Sequence, residues 1–327
     1  MQDVLLNIGL LVLGLFLLMK AGTFVVRSLS AMARYLHFSE FVLSSLLLAF
    51  ATSLPELTVG INAALADVSQ LSLGDILGTN IANLALILGL VTVLGGGLKL
   101  KDYTHFKEGR IFTLITVLTP FAMLLDGVLS RMDGGILLIL FAINLIRVLR
   151  ERDMVVQKKT FRAHLQPHSA MEISTRKHFF REVLIFAVSV PLLLFGAQLL
   201  VLSAQNLSAI FNIPEFFIGL FIISVGTSLP ELSVGLRSVL THHVGVSLGD
   251  LFGSAVLNAT LVLGIVALIA PIEAPSLRAT GIAGIFTLAI LLFIFGSLRK
   301  RNFLYKREGF LLLGTYALFL AIQFIAL

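Results

Sequence analysis

Ten apolar stretches divide this chain, at approximately 4–30, 40–66, 71–97, 110–125, 134–149, 182–208, 214–240, 246–270, 279–297 and 308–326. Each is near the length of about 20 residues that an α-helix needs to cross a hydrocarbon core. That core has no water to satisfy backbone groups, so the segments must bond internally as helices. The fold class expected is an all-α polytopic membrane protein. Of the 327 residues, 57% are hydrophobic and only 13% charged, which excludes an ordinary soluble globule and a disordered chain. With no cysteine there is no disulfide scaffold, thiol nucleophile or zinc–thiolate site. Asp3 and the lack of basic residues before the first stretch mark it as a membrane helix rather than a signal peptide.

Ten spans put both termini on one side. If that side is outside, the inner loops hold 21 of the 24 Lys and Arg residues. Only Arg131 and Arg278 fall in outer loops, and Lys20 lies inside the first span, where its long stem can carry the charge toward the interface. Cytoplasmic loops are the Lys- and Arg-rich ones, so the expected location is the cell membrane, with both termini outside the cytoplasm. The seven histidines fall in loops assigned to the cytoplasm, leaving none for the membrane core.

Residues 40–89 align without gaps on 215–264 at a constant offset of 175, with twenty of fifty positions identical. Leucine bias can match scattered apolar positions, but it does not reproduce Thr52–Leu57 on Thr227–Leu232 and Ser72–Asp75 on Ser247–Asp250 in register. Each copy lies on the second and third spans of a five-span half, so the second copy enters the membrane from the opposite side. Inverted repeats of this kind are built into secondary transporters, with binding near the midplane where the copies meet. The domains read as a first five-helix repeat at 1–149, a basic cytoplasmic linker at 150–181 and a second repeat at 182–327.

In the first copy, Ala51-Thr-Ser-Leu-Pro-Glu56 sits mid-span; in the second, Gly226-Thr-Ser-Leu-Pro-Glu231 does. A proline inside a helix removes a donor and disturbs the carbonyl four residues earlier, here Ala51 and Gly226. Two hydroxyls and a carboxylate stand beside each break, and such hard oxygens suit Na⁺ and Ca²⁺. An acid at membrane depth is costly and marks function. Gly74-Asp75 with Gly78, Thr79 and Asn83 is matched by Gly249-Asp250 with Gly253, Ser254 and Asn258. Thr79 and Asn83 share a helix face, as do Ser254 and Asn258. Asp75 and Asp250 lie near the ends of their spans, where capping or gating competes with ligation. For any one hydroxyl, interhelical hydrogen bonding is the competing role.

These paired segments resemble the alpha repeats of the cation/calcium exchanger superfamily, and most nearly its prokaryotic sodium/calcium exchanger branch. The resemblance implies the sodium/calcium exchanger fold, two inverted five-helix repeats. It implies that Glu56 and Glu231 bind calcium, aided by the carbonyls of Thr52 and Thr227. Sodium would draw on Ala49, Thr52, Ser53, Thr79, Ser224, Thr227, Ser228 and Ser254, with Asn83 and Asn258 lining the middle. It also implies that spans 1 and 6 slide across the other eight. Some prokaryotic members carry an aspartate at the place of Asn258, which leaves two acids in the core expected here. Ala51 stands where its copy keeps glycine, and Ala255 where its copy keeps Asn80.

The function expected is antiport of Ca²⁺ against Na⁺ by alternating access, with Ca²⁺/H⁺ antiport through the same glutamates as the rival. Proton-coupled relatives tend to carry further core acids. An intramembrane hydrolase would need a Ser–His pair, an Asp pair or HExxH, and no core histidine and no HExxH is present, so no enzymatic activity is expected. The partners expected are Ca²⁺, Na⁺, in the rival reading H⁺, and membrane lipid at the basic linker. No cofactor and no nucleic acid is expected, and a monomer suffices for transport.

Overall fold

The expected spans come out as helices wherever the chain is described. The computed structural model describes residues 2–35, 48–99, 103–163, 176–240 and 244–326. Among these residues nine helical stretches are long and apolar enough to cross a membrane, from Asp3–Leu29 to Lys306–Ile325. The other expected span, 40–66, begins outside the described residues and continues as the broken pair α2 (Leu48–Thr52) and α3 (Leu54–Leu65).

The first half opens with α1 (Gln2–Tyr35). After α2 and α3 come α4 (Ser69–Ile81), a π-turn segment at Ala82–Ile87 and α5 (Leu88–Leu94), one continuous rod. Helices α6 (Tyr103–Met123) and α7 (Arg131–Ala163) complete this half. The second half runs through α8 (Arg176–Phe211) and α9 (Glu215–Ile218), a π-turn at Gly219–Ile223, α10 (Ser224–Thr227) and α11 (Leu229–Leu240). Then follow α12 (Val244–Leu257), a π-turn at Asn258–Val262, α13 (Leu263–Ile269), α14 (Leu277–Arg301) and α15 (Lys306–Ile325).

The expected linker at 150–181 is mostly helix where it is described. α7 runs on to Ala163 and α8 starts at Arg176, while 164–175 lies outside the described residues. Arg, Glu, Lys and Gln dominate this stretch and are good helix formers, so the rods continue past the apolar zone.

The repeat extends through the packing well beyond the identical residues. A β-carbon at Gly60 would meet Val266 Cγ2 at 2.8 Å and Ser72 Oγ at 2.9 Å; at Gly235 it would meet Val91 Cγ2 at 3.2 Å and Ser247 Oγ at 3.3 Å. These are the same contacts with the copies exchanged. Two glycine crossings repeat likewise: a β-carbon at Gly89 would stand 3.0 Å from the Gly309 carbonyl oxygen, and one at Gly134 2.8 Å from that of Gly264. Even the short strands exchange, Leu98 pairing with Leu304 and Leu129 with Ile272, each antiparallel. The two serine contacts stay within one copy, and all the others join one half to the other, so the halves interlock instead of standing side by side.

Two apolar clusters form the interior. The larger is centred on α4, α5, α12 and α13 and takes in Phe216 and Phe319. The smaller gathers Leu11, Leu18 and Ala21 of α1, Val59 and Ala63 of α3, and Leu193, Ala197 and Leu200 of α8. Within it α1 and α8 approach closely: a β-carbon at Gly14 would lie 2.9 Å from the Gly196 carbonyl oxygen. Small residues at a crossing let two membrane helices pack backbone to backbone. Large apolar side chains such as Leu5, Ile139, Ile285 and Leu318 stay exposed, as expected of a surface that faces lipid.

Candidate ion-binding site

The two Pro-Glu segments break their helices as the sequence predicts. Thr52 closes α2, Ser53 turns with ψ near 2°, and Pro55 sits in the first turn of α3. In the second copy α10 ends at Thr227, Ser228 turns with ψ of −2°, and α11 starts at Leu229. Each break leaves a threonine, a serine and, three residues beyond that serine, a glutamate at the centre of the protein. Glu56, Glu231, Thr52 and Thr227 are all buried. α1 crosses over both breaks, since a β-carbon at Gly22 would stand 3.2 Å from Pro55 Cγ and 3.4 Å from Pro230 Cγ.

The pairing across the repeats is reciprocal. Thr52 donates to Asp250 Oδ1 at 3.1 Å and lies 3.0 Å from Ser254 Oγ. Thr227 donates to Asp75 Oδ1 at 3.0 Å and lies 3.2 Å from Thr79 Oγ1. Backbone carbonyls close each group. The Ala49 carbonyl oxygen lies 3.2 Å from Thr52 Oγ1 and 3.5 Å from Ser254 Oγ. The Ser224 carbonyl accepts from Ser228 at 2.6 Å and faces both Thr79 and Thr227 at 3.4 Å. Gly78 permits this approach, for a β-carbon there would fall 2.6 Å from the Leu220 carbonyl oxygen and 2.7 Å from Ser224 Oγ.

Asn80 and Ala255 are equivalent repeat positions and touch each other, Asn80 Nδ2 donating to the Ala255 carbonyl at 3.3 Å. Equivalent positions meet only on the axis relating the copies, so that axis passes here. Asn258 Nδ2 donates to Asn80 Oδ1 at 3.4 Å, which puts Asn258 beside this axis. Asn83 and Asn258 each open a π-turn or lie within its first residues, a distortion frequent at functional sites.

All twelve residues singled out from the sequence are buried, Ala49, Ser53, Asn83, Ser228 and Ser254 included. Asp75 and Asp250 lie near the starts of their helices as read from the sequence, yet both are fully buried and bonded to the threonines of the opposite break. The core therefore holds four acids instead of two. Glu56 lies within electrostatic reach of Asp75 and Asp250, and Glu231 within reach of Glu56 and Asp250. Asn80 also belongs to the centre and was not among the expected ligands. The signal for the aspartates was present, since SLGD is duplicated in register; the signal for Asn80 was weak, because its copy is Ala255.

Both carboxylate oxygens of Glu56 and of Glu231, Oδ2 of Asp75 and Asp250, Ser53 Oγ and both amide atoms of Asn83 are buried without a hydrogen-bond partner among the described residues. Buried polar atoms cost free energy unless something satisfies them. No three acidic or histidine side chains among the described residues converge on one metal position. A bound cation here takes at most two carboxylates and fills its shell with hydroxyl, carbonyl and amide oxygens, the donor set of hard cations.

A sequence model described as sodium/calcium exchanger protein matches residues 6–150 and 181–325. The chain belongs to the sodium/calcium exchanger family. It is thus a multi-pass membrane transporter of the antiport class and not an enzyme, with the ions as cargo instead of cofactors. This exchanger is 31% identical to "Putative antiporter CaxA" of Alkalimonas amylolytica, over 93% of the chain and 94% of that protein. It is 27% identical to the sodium/calcium exchanger MaX1 of Methanosarcina acetivorans, over 97% and 98%. Among solved structures it resembles the sodium-calcium exchanger NCX_Mj soaked with Na⁺ and Sr²⁺, with a TM-score of 0.67 at 25% identity, covering 97% of this chain and 98% of that one. The ten-helix architecture of two inverted repeats is the fold of this family.

Proposed function

We propose that the protein exchanges Ca²⁺ for Na⁺ across the cell membrane by alternating access, with the ions held between the two breaks. The observation that carries this reading is the pair Glu56 and Glu231. They are fully buried, and none of their four oxygens makes a hydrogen bond of normal geometry among the described residues. Two carboxylates balance one divalent ion. The expected sodium ligands, Ala49, Thr52, Ser53, Thr79, Ser224, Thr227, Ser228 and Ser254, with Asn83 and Asn258 in the middle, surround them. The boundaries 1–149, 150–181 and 182–327, and an orientation with both termini outside, belong to the same proposal.

The moving part in this reading is the pair α1 and α8. They pack on each other at Gly14 and Gly196 within the smaller apolar cluster, which also takes in Val59 and Ala63 of α3, and α1 covers both prolines. Sliding this pair would open one side of the ion site while closing the other.

The second reading, Ca²⁺/H⁺ antiport, gains from Asp75 and Asp250, which supply the further core acids that proton coupling would use. Calcium uptake into vesicles separates the two. A sodium gradient at equal pH drives uptake under the first reading, and a pH gradient without sodium drives it under the second. Glu56→Gln and Glu231→Gln should each abolish uptake while the protein still inserts and purifies as a single species. Wild-type uptake by either variant would remove the calcium site.

A further inference from the structure

A carboxamide has one accepting end and one donating end, and only its partners decide which way round it stands. At the axis between the copies they decide it for Asn258. The carbonyl of Ala255 can only accept, so the end of Asn80 that lies 3.3 Å from it is the amino end. The oxygen of Asn80 is then the end left for Asn258, 3.4 Å away, and it too can only accept. Asn258 therefore meets it with its own amino group. The oxygen of Asn258, the other end of the same planar group, is buried without a hydrogen-bond partner among the described residues. Because the chain of donors is anchored on a backbone carbonyl, its direction cannot be reversed.

The repeat supplies an internal comparison. Asn83 is the equivalent of Asn258, but the equivalent of Asn80 is Ala255, which has no side-chain amide. The residue that would hold Asn83 in the same way is therefore missing. The hydrogen bonds agree: both amide atoms of Asn83 are buried without a partner among the described residues, whereas in Asn258 only the oxygen is. Orientation matters here because Glu56, Glu231, Asp75 and Asp250 are buried in the same core. A carboxamide free to turn in the empty core points its amino group at a carboxylate and stands where a cation has to bind. The cation must then turn it back against a hydrogen bond to a charged group, which corresponds to about tenfold in affinity or more. With its amino end already taken by Asn80, Asn258 cannot compete in this way.

We propose that Asn80 is a positioning residue for calcium binding, holding the Asn258 carboxamide with its oxygen presented to the ion, while Asn83 has no such holder and is left to turn with whatever fills the core. Asn80 acts through Asn258 and is itself no ligand. The effect on calcium rests on the calcium reading above; the fixed orientation does not. Two asparagines that the repeat makes equivalent are thus unequal, and the inequality comes from the single exchange of Asn80 for Ala255 across the axis.

Equilibrium dialysis of the purified full chain against radioactive calcium, in detergent and sodium-free choline medium, tests this. Asn80→Leu fills much the same space and removes both amide bonds. It should weaken calcium binding about tenfold. With Asn258→Asp already in place it should cause no such loss, because an aspartate has an oxygen at either end and no amino group to turn inward. A residue that only fills space would weaken both backgrounds alike. Equal weakening in the two backgrounds, or none in the parent, would overturn the proposal. Exchange of side-chain amide hydrogens gives a second readout that needs no variant at position 80 and no calcium. With nitrogen-15 in the asparagines, the amide of Asn258 should exchange severalfold more slowly than that of Asn83, the two signals being assigned by their loss in Asn258→Asp and Asn83→Asp. Equal exchange overturns the proposal even where Asn80→Leu does not purify. Failure of the calcium reading looks different: calcium binding would be absent or unaffected by Glu56→Gln, while the exchange difference between the two asparagines would remain.

Discussion

Replacing Thr52 by valine should destabilise the protein more than replacing its repeat partner Thr227, although both substitutions remove one hydroxyl at nearly constant volume. The difference follows from proton counting. A threonine hydroxyl has one proton to donate. In the first group Thr52 donates to Asp250 at 3.1 Å, which leaves Ser254 as the donor across the 3.0 Å Ser254–Thr52 contact. In the second, Thr227 donates to Asp75 at 3.0 Å, but Thr79 lies 3.4 Å from the same carboxylate oxygen and can donate in its place. Thr227→Val is therefore partly compensated. Thr52→Val leaves Asp250 without a hydroxyl donor among the described residues, and the freed Ser254 has only the Ala49 carbonyl, at 3.5 Å. A hydrogen bond to an ionised group is worth about 1.5–3 kcal/mol, and leaving its buried acceptor unsatisfied costs a similar amount. We expect a loss of about 2–3 kcal/mol for Thr52→Val and about 1 kcal/mol for Thr227→Val, the latter within the range of interhelical bonds in membranes. A gap of 1–2 kcal/mol is roughly a 5–30-fold difference in the folded-to-unfolded ratio. The assay is denaturant unfolding of the purified variants in mixed micelles and sodium-free choline medium, since bound cations would mask the carboxylates. In the Asp250→Asn background the cost of Thr52→Val should shrink, giving a coupling energy of about 1 kcal/mol or more. Equal losses for the two valine variants, or no coupling to Asp250, would refute the one-proton argument.

Gly78→Ala should cost about 2–3 kcal/mol, because its β-carbon would fall 2.6 Å from a backbone oxygen of Leu220 and 2.7 Å from Ser224; Gly281→Ala, with nothing within 4 Å, serves as the neutral control in the same unfolding assay. Asn258→Asp should make calcium uptake more sensitive to acid than in the parent, because clustered like charges do not all ionise easily; an unchanged pH profile in vesicles would take Asn258 out of the ion path. A protease site within 155–175 should be cut only from the cytoplasmic side and tags at either terminus only from outside, and a cytoplasmic C-terminus would overturn the ten-span count.

The repeat and the two breaks were legible because they rest on local covalent facts. Proline at 55 and 230 stops a helix wherever it stands, and an offset of 175 held over fifty positions needs no knowledge of packing. The helical course of the linker was not legible for a related reason: hydropathy marks where the membrane ends, not where the helix ends, and α7 continues to Ala163 on polar residues that favour helix. The depth of Asp75 and Asp250 was beyond such reasoning. Each lies within the first seven residues of its helix, α4 or α12, so linear position puts it within about 10 Å of an end at 1.5 Å per residue. What makes that end the centre is the other repeat. The rod of one half crosses the break of the other, held there by Gly78 against Ser224 and by Asn80 against its own copy, Ala255. A helix end buried by a partner that runs the opposite way has no signature in its own sequence. The duplicated SLGD could have carried the inference, because an acid kept in both inverted copies has to serve a place that both copies share, and between inverted copies that place is the axis.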